Sequence, residues 1–223
     1  MEFFDIQNIF FRVLGYEMSY LEFFGTLAGG IAVALSARAN VLSWPIGVIN
    51  VVLFFFLFYQ VHLYPDMFLQ VFFFVTNLAG WWRWTHPKPF EEDRKKELRV
   101  SRMTRSQGMV VAIGGILGTI VFGSFAENIH ILLPQFFAQP SAFPYLDSFV
   151  TVMSIITTFL MIDKKVESWI IWIAVDALAT YLYFAKNIWF VALEYAVFCG
   201  IAAYGLWNWT KQYHALQNKT GTG

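Results

Sequence analysis

The chain has 223 residues, of which 58% are hydrophobic and 20% aromatic, with only 13% charged and a formal net charge of zero. That balance excludes an ordinary soluble domain and a basic nucleic-acid-binding protein, and fits a chain that crosses a membrane several times. Cys199 is the single cysteine, which excludes an intrachain disulfide and a cysteine-based metal cluster.

Residues 1–19 place Phe3, Ile6, Phe10 and Leu14 at helical spacing, with Asp5, Arg12 and Glu17 between them. The pattern predicts an amphipathic helix lying on the membrane surface, too polar to span it and without the basic start and cleavage site of a signal peptide. Seven apolar spans follow at about 20–37, 44–60, 65–84, 108–125, 146–162, 169–186 and 188–209. Pro45 and Pro65 sit at the starts of the second and third spans, where a missing N–H costs little. The fourth span carries Gly114, Gly115 and Gly118, a small-residue face that lets another helix come close. Between Glu127 and Tyr145, three prolines among phenylalanines read as an interfacial loop, and residues 210–223 read as a tail. The linker from Lys88 to Arg105 holds seven basic residues, which assigns it to the cytoplasm. Its interspersed acids read as a solvated helical connector. Counting spans outward from it gives an N-terminus outside and a C-terminus inside.

Shifting the chain against itself by 125 positions, without a gap, aligns Tyr20 with Tyr145, Ser43 with Ser168, Trp44 with Trp169 and Leu57 with Leu182. The register continues through Phe73 with Phe198, Gly80 with Gly205, Trp82 with Trp207 and Trp84 with Trp209. Six of nine tryptophans pairing in one register indicate an internal repeat three spans long. Two odd-numbered units in line would face opposite ways, and the fourth span restores parity. The expected fold is therefore an all-α integral membrane protein with seven transmembrane helices. Two parallel three-helix repeats, 20–84 and 146–209, are joined through residues 85–145, a three-plus-one-plus-three design.

Three stripes carry polar groups into the spans. Gln70, Phe73 or Phe74, Asn77 and Trp81 share one face of the third span. Its two amides suit ribose hydroxyls or a carboxamide, or equally bonds to neighbouring helices. On the sixth span, Trp169, Trp172, Asp176, Thr180 and Tyr183 line up around an acid with no basic residue in its span. Asp176 is placed to hold a cation beside aromatic faces, to carry a proton, or to bond structurally when protonated. On the seventh span, Glu194, Tyr195 and Phe198 follow. Phe198 and Phe73 are equivalent in the repeat and either sandwich a flat ring or simply pack, while Glu194 belongs to the site or to its outer mouth. Asn50 is a site residue or a bond between helices. Trp44, Trp169, Trp82, Trp84, Trp207 and Trp209 read as an interfacial aromatic belt. No histidine lies deep in a span and no nucleophile elbow or zinc motif occurs, so no catalytic residue, metal or cofactor is expected.

The run Leu69-Gln70 through Asn77, ending in Gly80-Trp81-Trp82-Arg83-Trp84, together with Trp44-Pro45-Ile46-Gly47 and Trp172-x-x-x-Asp176, resembles the PnuC family of nicotinamide riboside transporters. The resemblance covers roughly residues 20–209. It implies a fold similar to the SWEET sugar transporters and facilitated passage of nicotinamide riboside through a bacterial inner membrane. Uptake would be made one-way by a cytoplasmic riboside kinase. Related members carry thiamine or riboflavin, and a proton-coupled carrier with Asp176 or Glu194 as the titrating group is the alternative. A homo-oligomer is left open.

Overall fold

The computed structural model describes residues 4–13, 16–60, 64–93, 95–132, 135, 143–185 and 189–220. Among them are a two-stranded hairpin, β1 (Ile9–Val13) and β2 (Tyr16–Ser19), and seven helices: α1 (Tyr20–Ala37), α2 (Ser43–Gln60), α3 (Tyr64–Thr85), α4 (Arg105–Leu132), α5 (Pro144–Ile162), α6 (Glu167–Ala185) and α7 (Trp189–Thr220). Five of these, α1, α2, α4, α5 and α6, are long and apolar enough to cross a membrane. The chain forms two compact units, Met1–Arg99 and Val100–Gly223.

In the first unit α1 packs on α2 and α2 on α3. The N-terminal segment is not the amphipathic helix its spacing predicts. Ile9, Phe11 and Val13 alternate with their neighbours and are β-branched or aromatic, and they pair antiparallel with Tyr16–Ser19 across the sequence break at Gly15. Ser19 then caps α1, its hydroxyl accepting from the Glu22 N–H at 3.2 Å. Tyr16 donates to Glu22 Oε1 at 2.5 Å, and this bond keeps the phenol protonated, its pKa pushed up to about 12. Gln60, at the end of α2, clamps the segment below the hairpin: it accepts from the Ile6 N–H at 3.0 Å and donates to the Phe4 carbonyl at 2.6 Å. Ile6 thereby seats against the buried Leu21, Leu53 and Leu57.

In the second unit α4 packs on α5, α5 on α6 and α6 on α7. Two helices outrun their expected spans. α4 continues to Leu132 because Glu127 does not end it: its carboxylate faces α5, accepting from the Tyr145 hydroxyl at 3.0 Å. α7 continues to Thr220, since residues 210–220, beyond the expected end of the span, hold no glycine or proline. The remainder of the expected interfacial loop, 133–134 and 136–142, lies outside the described residues, while Pro144 and Tyr145 already belong to α5.

The basic linker is not a helical connector. Pro87 and Pro89 break the helix, leaving a 3-10 turn over Pro89–Glu91 and an extended run beyond it. Leu98 and Val100 turn inward and Arg99 outward, the period of a strand. Leu98 donates to the Trp84 carbonyl at 2.9 Å. In the second unit Ser101 donates to Lys164 O at 3.1 Å and accepts from the Val166 N–H at 2.9 Å. The Met103 N–H is held by Glu167 Oε2 at 2.9 Å.

The α1–α2 and α5–α6 turns match bond for bond at an offset of 125 residues. Ala39 and Lys164 both adopt positive φ, 54° and 53°. Asn40 N–H donates to Leu35 O at 3.0 Å, and Lys165 N–H to Leu160 O at 2.9 Å. Beyond each turn a tryptophan is driven into its unit. Trp44 meets Trp84 edge-on with centroids 5.2 Å apart at 90°, and Trp169 meets Trp209 at 5.4 Å and 87°. Each lies on a glycine of the third helix, since a Cβ on Gly80 or Gly205 would collide with the Trp44 or Trp169 ring. These four tryptophans are buried, not belt residues as expected; their rings fill the notch that glycine leaves. Trp82 and Trp207 are 66% and 58% exposed.

Gly80→Ala and Gly205→Ala should each cost about 1–3 kcal/mol by overpacking, and the double variant should lose close to the sum. Gly114→Ala, where nothing lies within 4 Å, should leave the thermal midpoint in detergent unchanged. Equal midpoints for all three would refute the ring-on-glycine packing.

Candidate functional site

Two polar concentrations lie within the helices, one in each unit. In the second, Asp176 stands at the middle of α6 (Glu167–Ala185). It is 4% exposed. Its neighbours Val175, Ala179 and Leu182 are also buried, which fixes the face that α6 turns toward its partners. The Thr180 hydroxyl donates at 2.7 Å to the main-chain carbonyl of Asp176, not to its carboxylate. Among the described residues no hydrogen bond or ion pair to that carboxylate is formed.

From α7, Tyr195 reaches the same region. Its ring stacks on Tyr183 of α6, centroids 5.4 Å apart and planes within 8°. Phe198 meets it edge-on at 6.3 Å. Asp176, Glu194 and Tyr183 all lie within electrostatic range of the Tyr195 hydroxyl. The packing of α6 on α7 therefore gathers Asp176, Thr180, Tyr183, Tyr195 and Phe198 into one cluster, with Glu194 beside it on an exposed face. Trp172 is half-buried one turn before Asp176. Cys199 is packed against α6, its thiol 3.8 Å from the Ile173 carbonyl.

In the first unit the amides separate. Gln70 lines a groove of about 290 Å³ between α2 and α3, together with Val51, Phe55, Phe56 and Phe74. Phe74, not Phe73, shares that groove with Gln70; Phe73 meets Phe72 edge-on at 5.4 Å. Asn77 points elsewhere. Its Nδ2 donates to the Phe73 carbonyl at 2.8 Å and its Oδ1 fills the space that Gly47 leaves on α2. Asn50 ties α2 to α1, donating to the Gly25 carbonyl at 2.8 Å, so it is a bond between helices. Trp81 is 41% exposed at the far end of the stripe.

The groove residues Val51, Phe55 and Phe56 escape a search for polar groups, yet the 125-residue register does point to them. Val51 precedes Asp176 by that offset, Phe55 precedes Thr180, Gln70 precedes Tyr195 and Phe74 precedes Cys199. The groove of one unit and the acidic cluster of the other thus occupy matching positions in sequence. One is apolar with a single amide, the other polar with an acid at its centre.

The cluster presents an acid, a hydroxyl and ring faces, groups suited to holding a solute. The comparisons agree with that chemistry. The model of the nicotinamide mononucleotide transporter family matches residues 19–211. The nicotinamide riboside transporter PnuC of Escherichia coli (strain K12) is 31% identical, over 94% of this chain and 94% of that protein. The riboflavin/roseoflavin transporter RibM of Streptomyces davaonensis is 23% identical, over 89% of this chain and 88% of its own. A crystal structure of the vitamin B3 transporter PnuC has the same fold, with a TM-score of 0.65 and 24% identity, covering 88% of this chain and 83% of that one. With the family model spanning nearly all of its helical region, the chain belongs to the nicotinamide mononucleotide transporter family and is a multi-pass membrane carrier, not an enzyme.

Proposed function

We propose that this chain takes up nicotinamide riboside across the bacterial inner membrane by facilitated diffusion. The chain is read as two parallel three-helix repeats, α1–α3 and α5–α7, with α4 as the joining helix, and the solute is held by the polar cluster of α6 and α7. One observation carries the reading: Asp176 is buried at mid-helix with no partner to its carboxylate among the described residues, beside the stacked Tyr183 and Tyr195. A carboxylate flanked by ring faces recognises a flat cation, charge against charge and face against face. The pyridinium of the riboside is such a cation, and relatives named as riboside transporters support the choice. The repeat reading draws on the turns, tryptophan pairs and ring-on-glycine contacts that recur at the 125-residue offset.

Charge also separates the riboside from its 5′-phosphate, for which the family model is named. Segments 20–37, 43–60, 64–82, 106–132, 144–162, 167–185 and 189–210 contain no lysine or arginine. A phosphate dianion brought beside Asp176 and Glu194 would meet repulsion and no counter-charge. Gln70, Phe73, Asn77, Trp81, Trp172, Thr180 and Phe198 complete the set assigned to the substrate. Asn77 acts there by holding α3 against α2.

The basic linker sets the orientation, with the N-terminus outside and the C-terminus in the cytoplasm. A carrier that only equilibrates its solute accumulates it when a cytoplasmic kinase phosphorylates the riboside and so adds the charge this site rejects. A proton-coupled mechanism is the second reading, favoured by one feature: Asp176 and Glu194 both lie within range of the Tyr195 hydroxyl.

In proteoliposomes, riboside entry should proceed with no pH or sodium gradient; flux that appears only when a gradient is imposed selects the coupled mechanism. Asp176→Asn should weaken binding of the riboside by about tenfold or more, the equivalent of about 1.4 kcal/mol, and leave an uncharged ring analogue nearly unaffected. Equal loss of both ligands removes the charge argument. In a thermal-shift panel the riboside should raise the midpoint by mass action and nicotinamide mononucleotide should not. A comparable shift with the mononucleotide would contradict the absence of a phosphate partner.

A further inference from the structure

We infer that the exposed face of α7 around Trp207 and Lys211 is a binding site for the phosphate head group of an anionic phospholipid, with Trp82 and His86 of α3 as its counterpart in the first unit. The inference stands apart from the choice of substrate and begins with helix length. α7 starts at Trp189 and α3 at Tyr64. At about 1.5 Å per residue, Lys211 and His86 each lie about 33 Å further along, close to the roughly 30 Å of a bilayer's hydrocarbon core. Lys211 is also the first basic residue of α7, so the pair stands where the helix passes from hydrocarbon to head groups.

The local geometry suits a phosphate ester. The Lys211 ammonium lies over the exposed Trp207 ring, 5.3 Å from its centroid, and Tyr204 flanks that ring at 5.8 Å. The ring face holds the ammonium from one side and leaves its N–H donors to a ligand on the other. Among the described residues no ion pair to Lys211 is formed. α7 carries no acid after Glu194. Glu167, at the start of the α6 helix that packs on α7, is taken up by the Met103 N–H at 2.9 Å and by Arg102 at 4.0 Å. The ammonium is therefore uncompensated, and an anionic head group complements it, while the indole and the lysine stem lie along the adjoining acyl chains. In the first unit the positions 125 residues earlier hold Trp82 and His86, stacked at 3.7 Å with planes within 13°. Lys88 follows, its ammonium 6.0 Å from the centroid of the exposed Phe90 ring. A pair needed only for packing would be buried; both of these are exposed.

The test measures lipid binding to the full-length chain in detergent by native mass spectrometry, with phosphatidylglycerol, phosphatidylcholine and glycerol 3-phosphate as probes. Wild type should hold phosphatidylglycerol about fivefold or more above phosphatidylcholine, the factor expected of one basic residue at an anionic surface. Lys211→Gln should remove most of that preference, Lys211→Arg should retain it, and Trp207→Leu should lower it by about twofold through loss of the ring face. Adding His86→Gln to Lys211→Gln should bring the two lipids level. Lys95→Gln, at an exposed lysine with no ring beneath it, should change nothing. No preference in wild type, an unchanged preference in Lys211→Gln, or an equal loss in Lys95→Gln overturns the site. Glycerol 3-phosphate bound as tightly as phosphatidylglycerol overturns the assignment to lipid. Should Lys211→Gln not be recovered folded, Trp207→Leu decides: a lowered preference supports the inference and an unchanged one overturns it.

Discussion

A bare carboxylate cannot face hydrocarbon, and α6 carries one at its centre. An aspartate at mid-helix costs roughly 2.5–3.5 kcal/mol on insertion scales, and Asp176 finds no hydrogen bond or ion pair for its carboxylate among the described residues that would offset it. It is tolerable only because α7 and the rest of the second unit close around it, leaving it 4% exposed. The aromatic stack of Tyr183 on Tyr195 exists for the same reason: the face of α6 that hides the acid is the face α7 must pack on. In the proposed reading, a group kept both desolvated and unpaired is what receives positive charge.

What holds those helices together is shape more than hydrogen bonding. Lipid tails are as apolar as leucine, so helices in a bilayer associate through close packing and small residues at the contact. Each unit uses the same device, a tryptophan from its second helix lowered onto a glycine of its third and locked edge-on by another tryptophan one turn later. The indole N–H groups of Trp44 and Trp169 are buried with no hydrogen-bond partner among the described residues. An unmet buried donor costs about 1–3 kcal/mol. That both units carry it shows how far the fit of ring to notch outweighs the lost bond.

The helices were legible because their signal is strong: runs of some eighteen apolar residues cut by charge or proline leave little choice of boundary, and α1 and α2 lie within one residue of the expected limits. Misreadings came where the signal was short. In residues 9–19, aromatic side chains satisfy a helical and an extended pattern at once, and only the pairing across Gly15 decides for a hairpin. In the linker, charge masked the alternation of Leu98 and Val100. At the site, Asp176, Tyr183 and Tyr195 stood out because polar groups in apolar helices are rare. Val51 and Phe55 did not, since nothing in a local reading separates an apolar residue that lines a pocket from the chain's other apolar residues. Asn50 and Asn77 show the reverse error risk: amides attractive as ligands turn out to face a carbonyl of α1 and a glycine of α2.

The difference between the two units bears on how a site of this kind works. Here the matched positions diverge: Val51 against Asp176, Phe55 against Thr180, Gln70 against Tyr195. Divergence also spares the fold a second buried acid, since Val51 is itself buried and a carboxylate there would lose its hydration. The scaffold, fixed by turns and tryptophans, repeats; the chemistry, set by a few mid-helix side chains, does not. Relatives named as riboside and as flavin transporters match this chain at comparable coverage, as expected if substrate choice is set at a few mid-helix positions while the packing that builds the carrier stays as it is.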